Sequence, residues 1–176
     1  KITAVEAIPV RVAFRVPFKI ASGAARPVSE AVIVRIKTDQ GVEGIGETQA
    51  WRRQGSVETL ASLTCTINQH LAPRIFGQPP FALPAIVHSL DDAIYSSLYA
   101  KAAVIDALYD LQGKLLGVPV HVLLGGTFRD RVGACAVLMI KDDLEETLDN
   151  ARQFHERGFR SFTIKVGLDP ATDYRN

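Results

Sequence analysis

The sequence predicts an antiparallel α+β region followed by the opening of a parallel α/β unit, and three observations carry that reading. Ile2 to Val12, Ala31 to Lys37 and Val42 to Glu47 read as strands, the last two separated only by the turn residues TDQG at Thr38 to Gly41, which is the pattern of an antiparallel meander. From Ala100 to Leu116 small and apolar residues recur at three- and four-residue steps, the signature of a long helix with one buried stripe. After a further helix, RSFTIKV alternates cleanly, and a strand that follows a helix in this way belongs to a parallel α/β unit.

Each element has a local reason. Between the first two strands, Phe14 to Pro27 reads as a long loop bearing Pro17 and Gly23, too apolar for an idle solvent connection; with Phe18 and Ile20 it is placed to close over a ligand or to join the core. The third strand, within GVEGIGE, spaces its glycines G-x-x-G-x-G with no helix start behind them. That is not a dinucleotide fingerprint, and the glycines serve a closely packed strand. Thr48 to Gly55 carries Trp51, Arg52 and Arg53, a second candidate lid or a solvated face.

Helices follow near Ser56 to Ile75, where Leu60, Leu63, Ile67 and Leu71 fall at helical steps, and near Leu83 to Ser97, with GQPP between them. In the long helix Ala100, Ala103, Val104, Ala107, Leu108, Leu111 and Leu115 form the stripe, while Asp106, Asp110 and Lys114 take the wetter side. Gly117 and Pro119 end it near Leu116. Val132 to Met139 then offers a strand. Asp142 or Asp143 caps the next helix, Glu145 and Glu146 suit its first turn, and Leu144, Leu148, Ala151 and Phe154 form its buried face before Gly158 stops it.

The final strand points Phe162, Ile164 and Val166 to the helix side and Ser161, Thr163 and Lys165 to the other. Lys165 is thereby expected to be a buried or half-buried amine, and burial disfavours the ammonium form, moving such a lysine toward use as a general base. A polar strand-end residue ahead of Gly167 also sits where α/β barrels hold their catalytic groups. The competing reading is a strand-end lysine reaching into solvent.

Composition narrows the classes. A formal net charge of +1 with 47% hydrophobic residues argues for a real core and against nucleic acid or an anionic membrane as partner. No apolar run approaches ~20 residues and KITAVEAIPVRV lacks the features of a signal peptide, so the expected location is cytoplasmic. Cys65 and Cys135 form neither a disulfide framework nor a zinc set and read as small core residues. His70, His88, His121 and His155 lack ligand spacing.

AKAAVIDALYDLQGKLLGVPVHVLLGG (Ala100 to Gly126), GVEGIGE (Gly41 to Glu47) and the TIKVG strand, in this order and at these separations, resemble the N-terminal half of the mandelate racemase and muconate lactonizing enzyme family of the enolase superfamily, over essentially the whole chain. The resemblance implies an α+β capping domain over residues 1–118. Residues 119–176 would then be the connector and first two strands of a modified TIM barrel. A whole barrel takes about 250 residues, and the chain stops after DPATDYRN, which opens a further helix, so it is read as truncated.

By the same resemblance Lys165 falls on the second lysine of the family's Lys-x-Lys motif, the general base, and Thr163 stands where the first lysine would be. Phe18 and Ile20, with Trp51, Arg52 and Arg53, fall on loops that fold over the barrel mouth. Glu47 is structural at the domain junction. Mg²⁺ or Mn²⁺ is implied, with its carboxylate ligands and the partner acid/base beyond Asn176 and none in this chain. The implied chemistry is metal-dependent abstraction of the proton α to a carboxylate, giving racemisation, epimerisation or cycloisomerisation of a small carboxylate substrate, in a homo-oligomer as the full-length protein. An acid-sugar dehydratase of the same superfamily and a non-catalytic assembly or binding module are the alternatives.

Overall fold

The computed structural model describes residues 1–20, 23–50, 58–139, 141, 143–167 and 170–175, the side chains of 16–20, 23–26, 172 and 175 excepted. They form two compact units: Lys1–Val12 with Ser29–Thr127, and Ala13–Val28 with Phe128–Asn176.

The first unit is built on a three-stranded sheet of order β1-β2-β3, with β1 at Ile2–Ile20, β2 at Gly23–Thr38 and β3 at Glu43–Gln49. β2 and β3 pair antiparallel from Ala31↔Gln49 to Lys37↔Glu43, across a turn in which Gly41 takes the left-handed conformation (φ 74°) that a side chain would resist. Ion pairs Arg11–Glu30 and Arg35–Glu6 step in opposite directions along β1 and β2, as an antiparallel hairpin requires. The loop expected at Phe14 to Pro27 is therefore corrected: it is strand on both sides of residues 21–22. Its prolines do not stop it because β1 is an edge strand and β3 meets β2 only from Ala31 onward, leaving edge positions where a missing N–H is tolerated.

Val32, Val34 and Ile36 of β2 are fully buried on one face. Across β3 lies α4 (Leu98–Leu116), whose buried stripe matches the predicted one through Leu111. The glycines of GVEGIGE make that contact possible. A Cβ on Gly44 would lie 2.1 Å from the Ala107 carbonyl oxygen, and one on Gly46 2.0 Å from that of Ala103. Asp110, expected merely to be wet, accepts the Ile45 N–H at 2.7 Å, and Lys114 donates to both Asp110 and the Glu43 carbonyl. Gly117 ends the helix in the left-handed conformation, as predicted.

The predicted helix reaching Ile75 is three consecutive pieces: α1 (Leu60–Cys65), started by a Thr59/Ser62 capping box, a π-helical segment at Thr66–Leu71, and α2 (Ala72–Ile75). Its buried residues Leu63, Ile67, Leu71 and Ile75 repeat at steps of four. In an α-helix each such step overshoots a full turn by about 40°; the wider i→i+5 turn keeps them in line on the core. Within the π-helical segment Asn68 accepts the Ala7 N–H of β1. α3 (Leu83–Ala93) stops four residues before the predicted Ser97, because Ile94 is extended and Ser96 and Ser97 have positive φ, 72° and 53°. Lys101 of α4 is buried but paired with Asp91 at 2.8 Å, and Gln112 donates to the Pro80 carbonyl. α5 (Val120–Leu123) follows Gly117 and Pro119 of the connector.

The second unit contains β4 (Cys135–Leu138), α6 (Leu144–Glu156), β5 (Ser161–Ile164) and α7 (Pro170–Arg175). Asp143 caps α6, accepting the Glu145 N–H; Asp142 lies outside the described residues. The face expected to be buried is only partly covered. Leu144 and Leu148 are 37% and 38% exposed, Ala151 and Phe154 half-buried, and Thr147 is the buried residue. Two strands offer α6 too little sheet to lie on.

Candidate active site

β4 and β5 pair in parallel, Cys135↔Ser161 through Leu138↔Ile164, and the ladder runs one residue further: the Lys165 N–H donates to the Leu138 carbonyl at 3.0 Å. Strand alternation sorts the side chains. Ala136 and Leu138 are buried on the α6 side, and Phe162 lines a depression there with Ala151 and His155 of α6. Cys135 and Val137 share the opposite face with Ser161, Thr163 and Lys165.

On that face Thr163 Oγ1 lies 3.2 Å from Cys135 Sγ, either atom able to donate. Lys165 follows directly after β5 and precedes Gly167, whose φ of 113° turns the chain and whose N–H donates to Asp173 at 2.8 Å. Lys165 is exposed rather than half-buried, which corrects the expectation from alternation alone. The face it occupies has no facing layer among the described residues. Cys135 and Cys65, read as core residues, are both exposed as well: one lies on this open face, the other is the last residue of α1.

Of the lid residues, Phe18 and Ile20 lie on the backbone of β1 with their side chains outside the described set, and Trp51, Arg52 and Arg53 lie outside the described residues altogether. Ala13–Val28, the far half of the hairpin, falls in the same unit as β4 and β5. Glu47 is an exposed residue of β3, opposite Ile33. All four histidines are exposed. Among the described residues no three His, Cys, Asp or Glu side chains converge, so they do not fit a divalent metal centre, and none of their helices is long and apolar enough to cross a membrane. A further cleft of about 570 Å³ lies in the first unit between Arg11, Glu30 and the start of α1, where Thr59, Cys65 and Asn68 line it. Sequence reasoning had no signal for it.

Hydrogen bonds from Lys37 and Arg35 hold the Glu6 carboxyl below its ordinary range. The Lys165 face offers an amine at the C-terminal end of a parallel strand, a hydroxyl two residues before it, and a thiol touching that hydroxyl.

A family model described as "Mandelate racemase / muconate lactonizing enzyme, N-terminal domain" matches residues 2–125. The N-succinyl-L-Arg/Lys racemase of Bacillus cereus is 33% identical over 175 residues, 99% of this chain and 47% of that protein. Its crystal structure superposes with a TM-score of 0.90 at 34% identity, covering 98% of this chain and 46% of that one. Chloromuconate cycloisomerase of Cupriavidus pinatubonensis is 36% identical over 82% of this chain and 40% of its own length. The D-galactonate dehydratase family member RspA of Halomonas elongata is 30% identical over 81% of this chain and 35% of its own. The chain thus spans about half the length of the curated relatives it matches or less.

Proposed function

The chain belongs to the mandelate racemase / muconate lactonizing enzyme family, and on that premise we propose that it carries the general base of an enzyme that removes the proton α to the carboxylate of a small substrate. In this reading residues 1–118 are the capping domain and 119–176 the connector and first barrel strands. The observation that supports it is the position of Lys165, at the C-terminal end of the second of two parallel strands and on the face opposite α6, where barrels of this kind place their chemistry.

In its neutral form the Lys165 amine takes the α-proton, the C–H electron pair passes into the substrate's carboxylate-conjugated system, and the resulting ammonium is a proton source for the return step. Return of a proton to either face gives racemisation or epimerisation; expulsion of a carboxylate bonded at the β-carbon opens a lactone, and the reverse, addition of a carboxylate oxygen to the conjugated double bond followed by protonation of the α-carbon from the Lys165 ammonium, is cycloisomerisation. Mg²⁺ or Mn²⁺ belongs to this reading, with ligands beyond Asn176. So do a homo-oligomeric protein and a cytoplasmic location. Phe18 and Ile20, with Trp51, Arg52 and Arg53, are assigned to substrate selection; the grouping of Ala13–Val28 with β4 and β5 favours the first of these segments.

The test uses the protein expressed from its whole reading frame with Mg²⁺ in deuterium oxide, following α-proton exchange by NMR on N-succinyl-L-arginine and N-succinyl-L-lysine. Exchange by the wild type and a loss of about 10²- to 10⁴-fold in Lys165→Ala is the expected result. Full exchange by Lys165→Ala would sink the assignment of the base. A second reading, an acid-sugar dehydratase, is favoured by the similarity to the dehydratase family member. It predicts loss of water from D-galactonate and no exchange on the N-succinylamino acids.

A further inference from the structure

We propose that Cys135 is a positioning residue for Lys165, acting through Thr163; this rests on the reading of Lys165 as the base. Thr163 stands in the strand two residues ahead of Lys165, on the same face, about 7 Å along it. Its hydroxyl is within 3.2 Å of Cys135 Sγ, and the parallel register, Cys135 opposite Ser161 and Val137 opposite Thr163, makes that contact a diagonal one between neighbouring strands.

A threonine has stiff χ1 preferences, and the remaining choice between its wells is made by what the hydroxyl binds. Here the partner is the thiol. The Cys135 sulfur has a second acceptor within reach, the Ala136 carbonyl at 3.7 Å, so the proton order is set locally: Cys135 donates to its own strand or to Thr163, and Thr163 answers as acceptor or donor. No other side chain among the described residues is bonded to either group. The pair therefore fixes the surface of the strand next to Lys165 on the side nearest the strand start.

Cys135 also ties β4 to β5 through side chains on the one face that α6 does not cover. The other face buries Ala136 and Leu138 of β4. Loss of the thiol contact would loosen the open face alone, and a misplacement of about 1 Å at a reacting group is enough to cost up to about 10²-fold in rate.

The experiment is a double-mutant cycle in the protein expressed from its whole reading frame. Cys135→Ala, Thr163→Val and the pair are measured by α-proton exchange on N-succinyl-L-arginine, with Cys135→Ser and Thr163→Ser as conservative partners and circular dichroism as the folding check. The expected result is a fall of about tenfold in kcat for each single variant with KM unchanged, no further fall in the double variant, and recovery in both serine variants. Additive losses, a silent Thr163→Val, or serine variants as impaired as the apolar ones would overturn the positioning role while leaving Lys165 as base. Exchange that survives Lys165→Ala would overturn the base and the positioning role together, so the two failures are told apart by that one variant.

Discussion

The two units of this chain treat the same kind of apolar helix face very differently. α4 lays its stripe on a three-stranded sheet with flanking helices, and Ala100, Ala103, Val104, Ala107, Leu108 and Leu111 are all buried without remainder. α6 lays a comparable stripe on two strands, and its leucines stay more than a third exposed. Amphipathic pattern specifies which face a helix turns inward; the amount of surface available opposite it decides how much of that face leaves water. The difference is one of closure rather than of sequence quality.

The sharpest way to break the closed half is at its narrowest contact. Gly46→Ala forces a methyl to within 2.0 Å of the Ala103 carbonyl, which no side-chain adjustment relieves, and is expected to cost about 3 kcal/mol or more, or to prevent folding, by urea denaturation. Leu108→Ala in α4 should cost about 3 kcal/mol from lost burial and a residual cavity, against less than about 1 kcal/mol for Leu148→Ala in α6. Equal losses at the two leucines would mean that α6 is covered in solution. Asp110→Ala removes the acceptor for both Ile45 and Lys114 and is expected to cost about 1 to 2 kcal/mol.

The smallest effect is electrostatic. Glu6 has its carboxyl lowered first by Lys37 and then by Arg35, so its contribution is present above its ordinary value near 4.5 and is lost as pH falls through the lower folded value. Glu6→Gln should therefore melt slightly earlier than wild type at pH 7 and at the same temperature at pH 2. Since all three groups are only half-buried, the pH 7 gap should also shrink in 1 M salt.

Much of the closed half was legible because its instructions are local. The α4 stripe, its stop at Gly117 and the packing purpose of the GVEGIGE glycines all follow from residues within a turn or two of one another. What the sequence could not supply depended on partners. The hairpin continues through Pro17 and Pro27 only because those positions lie on unpaired edges. The π-helical turn follows from a four-residue repeat that an α-helix also tolerates over short stretches. At the candidate site, alternation named the face of Lys165 but not its exposure, which needs facing elements. Cys135 looked like core because nothing short of the β4–β5 register brings it to Thr163.

The sheet of the first unit also ends on both sides in a way that bears on self-association. On the β1 side Asn68 takes the Ala7 N–H, and Ile2 exchanges hydrogen bonds with Gly77 and Gln78. On the β3 side Asp110 takes the Ile45 N–H and Lys114 the Glu43 carbonyl. Outward backbone groups on an edge strand are a template for a fourth strand from another molecule, the first step of edge-to-edge aggregation. Here side chains from the same helices that build the core already occupy several of them. A strand added from outside would have to displace a carboxylate and an ammonium on one edge or an amide and a backbone pair on the other, and β1 carries Pro9 and Pro17 besides.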